Sequence, residues 1–137
     1  MASTTKIFID TSGFKAFIDP KDDFYAMAAR MMVNFQLSKP YFVTSNYVID
    51  ETATLIRSRC KKEIFLNFKE YLINSRILHI NRVTHQDEAE AWIWMEKDWS
   101  RLSFTDCVSF AQLKRLEINR VFGFDHHFEQ AGFILEK

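Results

Sequence analysis

A chain of 137 residues with zero formal net charge, 47% hydrophobic and 26% charged, is most simply one globular domain spanning 1–137. Three glycines and two prolines leave no room for linkers, Cys60 and Cys107 form neither a Cys-x-x-Cys motif nor a disulfide framework, and 18 basic against 18 acidic residues argue against nucleic-acid binding by bulk charge. The opening MASTTKIFID lacks a signal peptide's apolar run and nothing approaches the roughly 20 apolar residues of a membrane span, so a cytoplasmic protein in a reducing compartment is expected.

In chain order, KIFID reads as a short strand ending on Asp10, followed by the small residues Thr11, Ser12 and Gly13. Asp22 to Leu37 places Phe24, Met27, Ala28, Met31 and Phe35 at helical spacing. YFVTS is a strand leading into a cap at Thr44, Ser45 or Asn46, and the helix beyond carries Val48, Thr52, Leu55 and Ile56 on one face. After a turn at Arg59 to Lys62, a helix to Asn74 is apolar at Ile64, Phe65, Phe68 and Leu72. RILHINRV is a strand, and Thr84 caps a helix with Ala89, Trp92, Met95 and Trp99 as its core stripe, leaving Trp94, like Tyr25 and Met32 earlier, for a partner surface. Ser103 or Thr105 caps a helix to about Ile118; RVFGFD is a strand, and FILE an edge strand.

Strands separated by helices predict an α/β fold, a single three-layer Rossmann-like domain with a mainly parallel sheet flanked by helices. Ligands of such sheets sit beyond the carboxyl ends of the strands, where strand order reverses. KIFID and VFGFD each end in an aspartate, so Asp10 and Asp125 should emerge on one rim. Glu51 falls inside the apolar stripe between Val48 and Leu55, whereas Asp50 is free to be solvated. Asp106 stands in the first turn of its helix, in phase with Phe110 and Leu113. Each acid alone has an ordinary reading as turn, cap or dipole partner.

Together they do not. Two unit charges ~5 Å apart repel by about 3 kcal/mol at an effective dielectric near 20, against a total stability of about 5–15 kcal/mol. Protonation or a bound cation must offset that, and a ring of carboxylate oxygens suits Mg²⁺ or Mn²⁺, one or two ions, which activate water and bind phosphoryl oxygens. Thr11, Ser12 and Gly13 leave room for water and a phosphate beside Asp10.

IFIDTSGF, TSNYVIDETATLI, SFTDCVSFA and VFGFDHHFEQAGF resemble, in order and spacing, the four acidic motifs of PIN-domain nucleases, and the short chain is most similar to VapC-type toxins. The resemblance implies Asp10, Glu51, Asp106 and Asp125 as metal-binding acids, with Thr11 or Ser12 and Thr105 as supporting groups. It further implies metal-dependent endoribonucleolytic cleavage of an RNA substrate, a homodimer, and a cognate antitoxin in a type II toxin–antitoxin pair. RNA rather than DNA rests on this resemblance alone. Gly123 departs from it, standing where the family often has Thr or Ser.

Other readings compete. A haloacid-dehalogenase-type phosphatase needs a second aspartate where Ser12 stands; a receiver domain needs a lysine after its last strand, where only Lys137 is on offer. A catalytically silent PIN-like module for RNA or protein binding would tolerate lost acids, yet all four stand. His126 and His127 follow Asp125 and could touch metal or phosphate; a Cys107–His nucleophile pair has no supporting motif; His79 and His85 make no zinc pattern. The basic surplus at Arg57, Arg59, Lys61, Lys62, Lys69, Arg76 and Arg82 reads as solvated helix faces or as an edge touching phosphates.

Overall fold

The structure, a computed structural model, describes residues 5–137; residues 1–4 of the expected domain lie outside the described residues. Its strands are β1 (Lys6–Ile9), β2 (Tyr41–Ser45), β3 (Leu78–Asn81), β4 (Arg120–Phe122) and β5 (Ile134–Leu135). They form one sheet of order β3-β2-β1-β4-β5 with every pairing parallel. Burial follows position. Ile7, Phe8 and Ile9 of the central strand are completely buried, as a strand covered on both faces requires, whereas the edge strand β3 is half exposed.

The helices are α1 (Thr11–Ile18), α2 (Tyr25–Ser38), α3 (Asn46–Arg59), α4 (Lys62–Asn74), α5 (His85–Trp94), α6 (Phe104–Arg115) and α7 (His127–Gln130). Right-handed crossovers place α1 to α4 on one face and α5 to α7 on the other. The packing agrees: α1 touches α2, α3 and α4, while α6 touches α5 and α7. The chain leaves β1 toward β2 and returns from β3 to β4, so strand order reverses between β1 and β4. Aromatic rings fill both layers: Phe14 meets Phe68 edge-on at 5.4 Å on one side, and Phe110 meets Phe128 at 5.1 Å on the other. No described helix is long and apolar enough to cross a membrane.

Three sequence expectations change. Thr11–Ile18 is a helix, where only small residues beside Asp10 were read. On α2 the buried set is Ala28, Met31 and Phe35, while Phe24 and Met27 are exposed. On α5 the inward phase is Asp87, Ala91 and Trp94; Ala89, Trp92 and Met95 face outward, and Trp99 lies beyond the helix end. The physical reason is close approach: small Ala91 is completely buried in the layer where α5 packs on α6, and the Trp94 ring packs edge-on against Phe110 at 5.1 Å. Large apolar size misled the assignment of Trp92, which is 65% exposed.

A polar network locks α5, α6 and β3 together. Thr84 and Asp87 form a capping box, Arg115 clasps both Asp87 oxygens at 2.8 Å, and Gln112 donates to the Asn81 carbonyl at 2.9 Å. On the other face, Thr44 donates to the Ile9 carbonyl at 2.9 Å, tying β2 to the last residue before Asp10.

Gly13 sets how closely α1 approaches β4. A Cβ there would lie 2.2 Å from the Phe122 carbonyl oxygen, a backbone atom that cannot step aside. Gly13→Ala should therefore destabilise the chain by about 1–3 kcal/mol, as overpacking does. Denaturant unfolding checks this, and an unchanged midpoint would contradict it.

Candidate active site

Asp10 follows β1 directly and caps α1, its Oδ1 accepting from the Gly13 N–H at 2.9 Å. Ser12 fixes the same carboxylate: its hydroxyl lies 2.8 and 3.0 Å from the two Asp10 oxygens and accepts from the Phe124 N–H at 2.8 Å. One serine thus ties the end of β1 to the segment after β4. Gly123 completes the arrangement. A Cβ at this position would lie 2.2 Å from Asp10 Oδ1, so the space that a Thr or Ser would need is filled by the Asp10 carboxylate.

The other acids reach the same place from three directions. Ser45 caps α3 by accepting from the Val48 N–H at 3.1 Å, which sets the helix phase so that Glu51 is half-buried beside Leu55 while Asp50 is exposed. Ser103 caps α6 by accepting from the Asp106 N–H at 3.0 Å, leaving the Asp106 carboxylate in the first turn. Asp125 follows β4, and its Oδ1 accepts from the His127 N–H at 3.0 Å. A cleft of about 440 Å³ is lined by Asp10, Glu51, Asp106 and Asp125 together with Thr11 and Ser12. Ser103 lines it as well; Thr105 is half-buried and is not among the lining residues. A larger hollow of about 610 Å³ between α5 and α6 holds none of these four acids, so chemistry rather than volume selects the site.

Burial raises the protonation of Asp10 and Asp106, and repulsion from the neighbouring acids adds to it. Asp10 is pushed up to about 7 by burial first, then by Asp125 and Glu51, against the opposing bonds from Gly13 and Ser12. Asp106 is shifted the same way by burial, then by Asp125, Asp10 and Glu51. Negative charge is therefore disfavoured at Asp10 and Asp106, and either a proton or a cation would relieve it. The donor set fits a hard divalent ion: carboxylate oxygens dominate, and the Thr11 hydroxyl is buried without a hydrogen-bond partner. Oxygens of Asp106 and Asp125 and a nitrogen of His127 lie within 4.8 Å of one another.

His127, whose role the sequence left open, is thus at the site; the available signal was its place two residues after Asp125 on a turn. Exposed His126 is not within this group. Cys107 is buried and its thiol pushed up to about 11, chiefly by burial, which leaves no nucleophile for a Cys–His pair. The basic residues Arg57, Arg59, Lys61, Lys62, Lys69, Arg76 and Arg82 are all exposed, and none lines the cleft; its cations are Lys15 and Arg101.

The raised carboxylates carry a pH signature. Asp10 and Asp106 hold protons in the folded chain that the unfolded chain releases from about pH 4 upward, so stability falls as pH rises through the window to about 7 and beyond. Asp19 and Asp87, whose shifts run downward, are already ionised above pH 5 and do not oppose this. The melting temperature of EDTA-treated protein should drop between pH 5 and pH 8, and Asp10→Asn should flatten the drop. A rising melting temperature across that interval would contradict the assignment.

Comparison with known proteins shows the family and the fold. The family model described as PIN domain matches residues 7–134. The chain is 32% identical over 129 residues, 93% of its length and 95% of the relative's, to the 23S rRNA-specific endonuclease VapC20 of Mycobacterium tuberculosis. The crystal structure of M. tuberculosis VapC20, described as a sarcin–ricin-loop-cleaving toxin, superposes with a TM-score of 0.81, covering 93% of this chain and 96% of that one. VapBC2 of Rickettsia felis, solved with a promoter DNA fragment, matches at TM-score 0.67 and 14% identity over 96% of this chain and 98% of that one, a likeness of fold alone. FitAcB of Neisseria gonorrhoeae has the same TM-score of 0.67 and identity of 14%, over 96% of each chain, again a likeness of fold. The chain belongs to the PIN-domain family of nucleases, and within it is similar to the VapC-type toxins.

Proposed function

We propose that this chain is a metal-dependent endoribonuclease that hydrolyses RNA phosphodiester bonds with Mg²⁺ or Mn²⁺ held by Asp10, Glu51, Asp106 and Asp125, and that it is the toxin of a type II toxin–antitoxin pair. The observation that carries this reading is the meeting of carboxylates from β1, α3, α6 and the turn after β4 in one cleft, with Asp10 raised to about 7. Similarity to a 23S rRNA endonuclease over 93% of the chain makes 23S rRNA the first substrate to test.

Asp10 and Asp106 would hold the cation directly, Asp125 would complete the ring or bind a second ion, and Glu51 would hold a metal-bound water or orient the attacking one. Bound there, the cation supplies Lewis-acid polarisation of a phosphoryl oxygen and acidifies a water. Ser12 keeps Asp10 aimed through its bonds to both carboxylate oxygens and to the Phe124 N–H. Arg101 offers positive charge on the cleft wall for a neighbouring phosphate, whereas Lys15 is engaged at 3.0 Å by both Asp19 and Asp22. Phe24, stacked on Phe124 with 4.4 Å between ring centres, gives the same wall a flat surface on which a base can stack.

The toxin reading brings a homodimer and an antitoxin that covers the cleft. Exposed Val33 and Leu37 on α2 and Ile73 on α4 offer apolar surface for such partners.

Purified protein should cleave 23S rRNA, or a stem–loop copied from its sarcin–ricin loop, with Mg²⁺ or Mn²⁺ and not with EDTA. Asp10→Asn and Asp106→Asn should each lower the rate by about a hundredfold or more, the scale of losing several kcal/mol of charge stabilisation. EDTA-resistant cleavage, undiminished in Asp10→Asn, would sink the metal-dependent reading; specific binding without cleavage would point to a silent module.

A further inference from the structure

The His127 ring is held as firmly as any group in the cleft. The residue is 5% exposed, and its ring lies parallel to Trp99, 7° apart with centres 6.4 Å apart. Its Nε2 sits 2.8 Å from the Ser100 carbonyl oxygen. A carbonyl oxygen only accepts, so Nε2 donates to it, and Nδ1 is the ring nitrogen left to face the cleft. Nδ1 is buried and makes no hydrogen bond. It lies 2.9 Å from Asp125 Oδ1 and 3.8 Å from Asp106 Oδ2. Asp125 Oδ1 already accepts from the His127 N–H. A ring nitrogen this close to two carboxyl groups calls for a proton or a metal cation between them, and the cleft's other carboxylates favour the metal cation.

We propose that His127 Nδ1 is a nitrogen ligand of the divalent cation in this cleft, sharing it with Asp106 and Asp125 and turning an all-oxygen site into a mixed one that favours Mn²⁺ over Mg²⁺. The proposal rests on the reading that the cleft binds metal, and adds to it a ligand and a selectivity. The 2.9 Å separation of Nδ1 and Asp125 Oδ1 is close to the edge of about 3 Å expected between neighbouring ligands at metal–ligand distances near 2.1 Å. The Nε2–H bond to a backbone carbonyl is the outer contact that ordinarily orients a metal-binding histidine. Imidazole suits transition ions, whereas Mg²⁺ keeps to oxygen and water. His126, on the exposed side of the turn with its Nδ1 3.9 Å from Asp125 Oδ1, lacks both the burial and the anchoring bond.

The test is pulsed electron paramagnetic resonance of the full chain loaded with Mn²⁺ alone. Nitrogen coupling of a directly bound imidazole should appear in wild type and in His126→Gln and vanish in His127→Gln. The glutamine amide can keep the bond to the Ser100 carbonyl while removing Nδ1. Calorimetry should show His127→Gln losing about tenfold or more in Mn²⁺ affinity and less in Mg²⁺ affinity, narrowing the ratio between the two ions. Bound Mn²⁺ without nitrogen coupling in wild type, or with coupling that persists in His127→Gln, would overturn the ligand assignment and leave the oxygen site standing; an imidazolium paired with Asp125 would give the first of these results. Wild type that binds no Mn²⁺ would overturn both. Coupling that persists in His126→Gln, or its absence from wild type, keeps the test decisive even if His127→Gln fails to fold.

Discussion

Carboxylates brought to one rim from both faces of a parallel sheet repel one another across a cleft from which burial has removed much of the water. The fold has to hold them there before any cation compensates the charge, and the elements around the site are arranged to do so. Asp10 is gripped by the Gly13 N–H and the Ser12 hydroxyl, and Ser12 in turn holds the Phe124 N–H, which keeps Asp125 within range. Glycines at 13 and 123 permit this closeness, the first against the Phe122 carbonyl and the second against the Asp10 carboxylate itself. On the opposite face, the Thr84, Asp87, Arg115, Asn81 and Gln112 network fixes the helix that carries Asp106. Stability is sacrificed locally to hold these acids together, and the proposed cation would offset that cost.

Asp10 answers in two ways the question of why a buried strand ends on a charge. The ordinary explanation, a helix cap, is structurally true, and the same carboxylate lines the acidic cleft. Capping supplies the fixed orientation that the proposed metal-binding role would need, because one oxygen is committed to the backbone while the side chain stays at the strand end. Asp106 and Asp125 combine local and cleft duties in a similar way: Asp106 sits under the Ser103 cap, and Asp125 accepts from the turn that carries His127. The structural and chemical roles of these acids reinforce each other.

Much of this was legible in the chain because strands announce themselves by composition and carboxyl ends by position. Ile7 to Ile9 and Val121 to Phe122 run straight into small or acidic residues, and the parallel order then places Asp10 and Asp125 together. Glu51 was legible by phase, as an acid inside an apolar stripe beside solvated Asp50. Less was legible where size and period conflict. The short helix α1 was hidden because Thr11, Ser12 and Gly13 read as open space, although Phe14 and Ala16 are completely buried. On α5 the tryptophans drew the stripe to Trp92, while a small alanine and the Asp87–Arg115 pair determined the buried face. His127 could not be ranked above His126 from sequence, since only the turn after Asp125 decides which ring is buried. Its anchor, the Ser100 carbonyl, is 27 residues away in the chain.

The central claim is that the acids at positions 10, 51, 106 and 125 gather to share a divalent ion. Anomalous diffraction from crystals grown with MnCl₂ tests it most directly. The account predicts an anomalous peak in the cleft within about 2.0–2.4 Å of carboxylate oxygens from Asp10 and at least one of Asp106 and Asp125. A cleft without a peak at saturating Mn²⁺, or a manganese ion bound elsewhere on the chain, would contradict it.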